Sequence, residues 1–170
     1  MNVIIREEKV SDHKRVYEVN RLAFQQEDES KLIEKIRAGK NFIQGLSLVA
    51  ETGNVVVGHI LFSKLGIIGS DLTYESLALA PMAVIPDCQN KGIGSRLVRE
   101  GFKRAEEIGF KSVIVLGHPD YYPRFGFSKA SKWDIKCPFE VPDEAFMAIE
   151  LEDGALVGKS GIVNYPDEFL

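Results

Sequence analysis

Gly92 and Gly94 stand in the stretch Gln89-Asn90-Lys91-Gly92-Ile93-Gly94-Ser95, shortly after Pro86 closes an apolar run from Leu77 to Ile85. From there Ile93, Leu97, Val98, Gly101, Ala105 and Ile108 recur at the spacing of one helix face. The order is strand, tight loop, helix. The first turn of a helix has N–H groups without an intrahelical partner and a partial positive charge. Glycines that let the backbone approach closely therefore make such a loop a cradle for an anion, phosphate above all. Particular residues exclude two other phosphate patterns: a dinucleotide fingerprint needs a third glycine where this chain has Leu97, and a P-loop needs a closing Gly-Lys-Ser/Thr that is absent. An ordinary Gly-x-Gly turn is the competing reading of the spacing.

Gln89 to Gly94 resembles the Q/R-x-x-G-x-G/A motif of the GNAT superfamily of acyl-CoA N-acyltransferases, and it lies between an apolar strand and a helix as in that family. Downstream, Tyr121-Tyr122-Pro123-Arg124-Phe125-Gly126-Phe127 is similar to the family's Y-x-x-x-G-F segment. Ser47-Leu48-Val49-Ala50, Gly117-His118-Pro119 and Gly154-Ala155-Leu156 extend the similarity over nearly the whole chain, toward a bacterial subfamily of N-acetyltransferases termed YhbS-like. The resemblance implies acetyl-CoA as cosubstrate, direct acetyl transfer to a primary amine of a small molecule or protein, no covalent enzyme intermediate and no metal. The pantetheine arm would pair with the backbone of Met82, Ala83 and Val84. The pyrophosphate would rest on the N–H groups of Lys91, Gly92, Ile93, Gly94 and Ser95, in the loop that Gln89 and Asn90 open.

Such a transfer has three tasks: to remove a proton from the ammonium, hold the tetrahedral oxyanion and protonate the departing thiolate. The resemblance places Tyr122 at the position of the tyrosine that serves the thiolate, with Tyr121 a less fitting substitute. A main-chain N–H near Met82 or Ala83 would hold the oxyanion. Three residues stay open for the base: Glu29, before a helix that borders the acceptor cleft in this superfamily; Glu75, at the beginning of the central strand; and His118, after the strand that follows the cofactor helix. A non-catalytic acetyl-CoA-binding or regulatory module on the same scaffold is the alternative from another class, because fold does not guarantee chemistry. A protein using the glycine loop for another phosphate ligand is a more distant one.

The elements that must position these groups follow in chain order. Val3 to Arg6 is β-prone, and Ser11-Asp12 supplies a cap for a helix carrying Val16, Val19, Leu22 and Ala23 to about Phe24. Leu32, Ile33 and Ile36 mark a second helix that stops at Gly39. Leu46 to Glu51 and Val55 to Phe62 read as a hairpin across Thr52-Gly53-Asn54, with a bulge at Gly58 and an extension, after a bend, over Leu65 to Ile68. Thr73 to Ile85 is a long strand in which Pro81, lacking an N–H, predicts a bulge or a split. Ser112 to Leu116 is a buried strand, parallel to its partner across the helix between them. Asp120 to Phe125 reads as a short helix, with strands opening at Phe127 and spanning Phe146 to Leu151. With the resemblance this implies an α/β (α+β) fold: a GNAT-like mixed, mostly antiparallel, splayed central sheet of about six to seven strands, flanked by about four helices. Residues 1–170 read as one domain, with its core over about 3–150 and a C-terminal extension, 151–170, wrapping that core.

Composition narrows the partners. The chain has 170 residues, 45% hydrophobic and 27% charged, enough for one ordinary domain with a sizeable core. A net charge of −4 and a pI near 5.5 argue against broad capture of nucleic acid or anionic membrane. No apolar run approaches a bilayer-spanning length, and the acidic N-terminal stretch does not fit a signal peptide, so a cytoplasmic protein is expected. Cys88 and Cys137 lack metal-ligand spacing and read as free thiols, which outweighs a catalytic Cys88 with no neighbouring base. The apolar tail leaves a homodimer open.

Overall fold

The computed structural model describes residues 2–170. In chain order the elements are β1 (Ile4–Glu7), α1 (His13–Phe24), α2 (Asp28–Ala38), β2 (Phe42–Thr52), β3 (Val55–Ile68), β4 (Thr73–Val84), α3 (Ile93–Ile108), β5 (Ser112–Leu116), β6 (Ser128–Lys129), β7 (Ile135–Lys136), β8 (Phe146–Glu150) and β9 (Gly161–Asn164). The strands follow the order β1-β2-β3-β4-β5-β8-β6, with β9 pairing β3 and β7 off that path. The class is the expected one, a mixed α/β fold on a mostly antiparallel open sheet. Among the described residues the sheet has nine strands, more than expected, because β6 and β7 are each two residues long and too short for any alternation to reveal. The described residues form three α-helices where about four were expected. The segment read as the fourth is a four-residue 3-10 helix, Tyr122–Phe125, with Pro123 in its first turn and Gly126 closing it at φ 105°. β4 is continuous through Pro81, while its register with β5 is confined to Ala78 opposite Ile114.

The chain forms two compact units, the first holding the residues up to Ser63 and Ala80–Arg104, the second Lys64–Leu79 and Ala105–Leu170. In the first, Gly53 and Asn54 take φ 55° and 62°. Positive φ at both central positions defines a type I′ two-residue hairpin turn, which sets Thr52 opposite Val55. The register then skips Val57, passing from Glu51 opposite Val56 to Ala50 opposite Gly58. The bulge thus falls beside the glycine that predicted it. A Cβ at Gly58 would lie 3.2 Å from Leu97 Cδ1 and 3.3 Å from the Ala83 carbonyl oxygen, so its bare backbone lets α3 and the end of β4 close in. Asp12 does not cap α1 as expected. Its carboxylate accepts the Lys9 N–H at 2.7 Å and a two-pronged hydrogen bond from Arg6 at 2.7 and 3.0 Å, which ties β1 to the 3-10 turn Val10–Asp12 leading into the helix.

Leu97, Val98 and Gly101 form the buried stripe of α3 in this unit, and Gly101 lies directly against the ring of fully buried Phe62. Gly101→Ala therefore sets two effects against each other. Better helix propensity contributes about 1 kcal/mol, whereas overpacking a closed core costs about 1–3 kcal/mol. The added methyl would fall inside the Phe62 ring's van der Waals envelope, so the clash should prevail. The expected result is a melting temperature lower by about 2–4 °C, the shift that about 1 kcal/mol gives in a chain of this size. An unchanged or raised value would show that the ring yields.

In the second unit β5 is the centre. It runs antiparallel to β8 from Ser112 opposite Glu150 to Leu116 opposite Phe146, and parallel to β4, registering at Ala78 opposite Ile114. Ser76 and Ser112 satisfy each other's buried hydroxyls at 2.7 Å. Ile67, Ile114, Ile135, Phe146 and Ala148 make the core together with Leu156 and Val163 from the C-terminal segment, whose β9 pairs with β3 from Gly66 opposite Asn164 to Ile68 opposite Ile162.

Candidate active site

β4 leaves the sheet at Val84 and enters a single 3-10 turn, Pro86–Cys88. Asn90 and Gly92 then take φ 62° and 81°, reversing the chain into α3. The first helical bond here is Arg96 N–H to the Gly92 carbonyl, 3.2 Å, leaving the N–H groups of Ile93, Gly94 and Ser95 ahead of the ladder. Nothing lies within 4 Å of where a Gly92 Cβ would stand, so the mouth of the loop is open. Gln89 closes the motif on itself: its side-chain amide donates to the Val84 carbonyl at 2.9 Å, fastening the loop to the end of β4. On the other side of this exit the Ile85 N–H donates to the carbonyl of the bulged Val57 at 2.9 Å. Met82 and Val84 are half-buried and alternate with buried Pro81 and Ala83, while Asn90 and Lys91 are exposed. Cys88 is a free thiol and only 7% exposed, in keeping with a packing role. Free amide hydrogens, a positive helix end and an open glycine mouth fit a diphosphate.

The tyrosines belong to the second unit. After β5, Gly117 donates its N–H to the Ala145 carbonyl at 2.9 Å, and the His118 carbonyl accepts the N–H groups of Tyr121 and Tyr122 at 3.1 and 3.4 Å. Tyr122 enters the 3-10 turn with its ring set edge-on to Tyr121 (centroids 5.1 Å apart) and Phe127 (5.7 Å) and tilted against Phe125 (6.5 Å). No hydrogen bond to its hydroxyl is found among the described residues. Burial, helped by the neighbouring Tyr121, pushes the phenol up to about 12, so it stays protonated throughout the neutral range. Tyr121 carries the Arg124 guanidinium over its ring at 4.4 Å, a surface arrangement.

The three candidate bases are placed differently. Glu29 lies inside the first turn of α2 rather than before the helix, half-exposed and accepting the Gln26 amide at 3.1 Å. Glu75 is exposed near the beginning of β4 and lines a polar cavity of about 320 Å³ with Thr73, Lys111, Ser112 and Lys159. His118 is exposed and serves the tyrosine turn through its carbonyl. Glu29 shares a unit with the glycine loop; Glu75 and His118 share one with Tyr122.

Two features were not legible as functional groups. A cavity of about 780 Å³ is lined by residues of α1 and α2, His13, Lys14, Tyr17, Glu34 and Arg37 among them. Periodicity identifies the apolar faces of these helices but not which polar residues border a groove. In the same unit fully buried His59 holds the Ser47 hydroxyl at 2.9 Å through Nε2, with Glu8 at 3.7 Å from that same nitrogen. A serine–histidine–carboxylate relay needs the acid on the other ring nitrogen. Here Nδ1 has no partner, and Ser47 is sealed at 2% exposure, so this cluster is structural. Among the described residues no group of three His, Cys, Asp or Glu could hold a metal ion, and no helix is long and apolar enough to cross a membrane.

A strand end leading through a glycine bend into a helix N-terminus, followed downstream by a tyrosine packed among aromatic rings, is the arrangement expected from the resemblance to acyl-CoA N-acyltransferases. Residues 13–127 match the acetyltransferase (GNAT) family, and the chain belongs to it. It is 34% identical over 149 residues to the N-acetyltransferase YhbS of Escherichia coli, covering 88% of this chain and 87% of that one. Its structure superposes on the crystal structure of the Escherichia coli GNAT N-acetyltransferase YhbS in complex with CoA with a TM-score of 0.92 at 32% identity, over 99% and 92% of the two chains. For a GNAT acetyltransferase from Brucella melitensis in complex with acetyl-CoA, the TM-score is 0.81 at 28% identity, over 99% of each chain.

Proposed function

We propose that this protein transfers the acetyl group of acetyl-CoA directly to a primary amine of a small molecule or a protein, in the cytoplasm. The observation that carries the reading is the Gln89–Ser95 loop: an open glycine mouth before α3 whose opening glutamine is tied to Val84. The N–H groups of Ile93, Gly94 and Ser95 would receive the pyrophosphate, and the backbone of Met82 to Val84 the pantetheine amides. Gln89 already occupies the Val84 carbonyl, so that stretch would serve the arm chiefly through its N–H groups and the Met82 carbonyl. Acetyl-CoA supplies the activated thioester. A main-chain N–H at Met82 or Ala83 would hold the oxyanion, and the Tyr122 hydroxyl would protonate the departing sulfur. Glu29, Glu75 or His118, directly or through a water, would take the proton from the acceptor ammonium. A cytoplasmic setting accords with two cysteines left as thiols. The two compact units would then act as one transferase domain.

Ligand-induced stabilisation tests the cofactor directly, since a ligand that binds the native state stabilises it by RT ln(1 + [L]/Kd). Acetyl-CoA at about 100-fold over Kd should add about 2.7 kcal/mol, whereas ATP and nicotinamide dinucleotides should leave the melting temperature unmoved. Gln89→Ala should weaken the acetyl-CoA response by releasing the loop from Val84. A larger response to ATP than to acetyl-CoA would overturn the assignment. A panel of primary amines, scored by free CoA thiol, identifies the acceptor.

A further inference from the structure

We propose that Gly117 is a positioning residue: the room left by its missing side chain is where the Tyr122 ring lies, and that room fixes where the phenol is presented. The inference rests on the proposed role of Tyr122 in acetyl transfer. A Cβ built on Gly117 would stand 2.5 Å from Tyr122 Cε2, a distance that no relaxed contact permits, and 3.1 Å from Cδ2, itself a tight approach. Gly117 is absent from the glycines with left-handed φ, so its backbone accepts alanine and the objection is purely spatial. Neither partner can easily withdraw. Gly117 is pinned by its N–H on Ala145, and the ring is hemmed by Tyr121, Phe125 and Phe127, the last two only 7% and 4% exposed.

A methyl at this position must therefore drive the ring sideways, carrying its hydroxyl with it. Displacements of about 1 Å at a reacting group cost on the order of 100-fold in rate. Binding of the cofactor's phosphates, which this reading assigns to the Gln89–Ser95 loop, should be untouched, so the loss belongs in kcat and not in KM for acetyl-CoA.

The test measures acetyl-CoA turnover as release of free CoA thiol, with n-butylamine as the probe acceptor, for the native protein, Gly117→Ala, Tyr122→Phe and the double variant. The expected result is a kcat about 10- to 100-fold lower in Gly117→Ala, KM for acetyl-CoA within about twofold, and no further loss when Gly117→Ala is added to Tyr122→Phe. Native kcat in Gly117→Ala beside a slow Tyr122→Phe would overturn this inference and leave the functional reading standing. Native kcat in Tyr122→Phe would overturn the role of the tyrosine itself. If Gly117→Ala fails to fold, pairing it with Tyr122→Ala should restore the fold by removing the ring; failure to restore it would show that the contact is not the cause.

Discussion

Replacing Tyr122 with phenylalanine is expected to slow acetyl transfer by about 100-fold or more, the usual contribution of a positioned proton donor, with acetyl-CoA affinity nearly unchanged. The substitution removes one oxygen and leaves the ring packing against Tyr121, Phe125 and Phe127 in place. It therefore separates proton transfer from architecture. The phenol's environment adds a second signature. Its ionisation is pushed from the ordinary value of 10 up to about 12, chiefly by burial. The acid form thus persists two pH units further than that of a solvent-exposed tyrosine, and no alkaline loss of kcat near pH 10 should come from this group. Single-turnover rates from pH 7 to 10.5, native against Tyr122→Phe, check both statements; equal rates at every pH would remove the hydroxyl from the reaction.

The second large effect concerns stability in mild acid. His59 is fully buried, and burial, reinforced by Arg37, pulls its ionisation from 6.5 down to about 3. Glu8 lies 3.7 Å from the ring, but its charge is already engaged by Arg37 at 2.8 Å. The folded protein therefore holds His59 neutral at pH values where the unfolded chain takes up a proton. Because the unfolded state binds more protons, the stabilisation is complete above pH 6.5 and is lost as pH falls toward 3, at up to about 1.4 kcal/mol per pH unit. Urea midpoints at pH 7.5 and 5.0 should show this loss in the native protein. His59→Asn, which cannot titrate, should show a distinctly flatter dependence, and identical slopes would exclude His59 as the source.

Most of what positions the Gln89–Ser95 loop was readable one residue at a time, because it depends on local backbone chemistry. Gly53 and Asn54 predicted a hairpin turn and adopt the left-handed angles it needs; Gly58 predicted a bulge and lies beside one; Gly92 predicted a reversal into a helix and makes it. Errors arose where the outcome depends on distant partners. Asp12 has the composition of a helix cap, yet Arg6 and the Lys9 N–H claim its oxygens. The space that Gly117 leaves for Tyr122 and the union of Ser47 with His59 exist only after folding. Neither spacing nor periodicity carries them.

Pairing with β9 decides how the far end of β3 meets its surroundings. Gly66 to Ile68 present their main-chain groups to the last strand, and Ile68 and Ile162 sit opposite each other with about half of each side chain in water. Without that partner, a three-residue apolar edge would offer unsatisfied donors and acceptors to any passing chain, the usual template for intermolecular strand addition. Gly161 to Asn164 thus act as a selvage on the sheet, and a protease trimming that hem would yield a species prone to self-association.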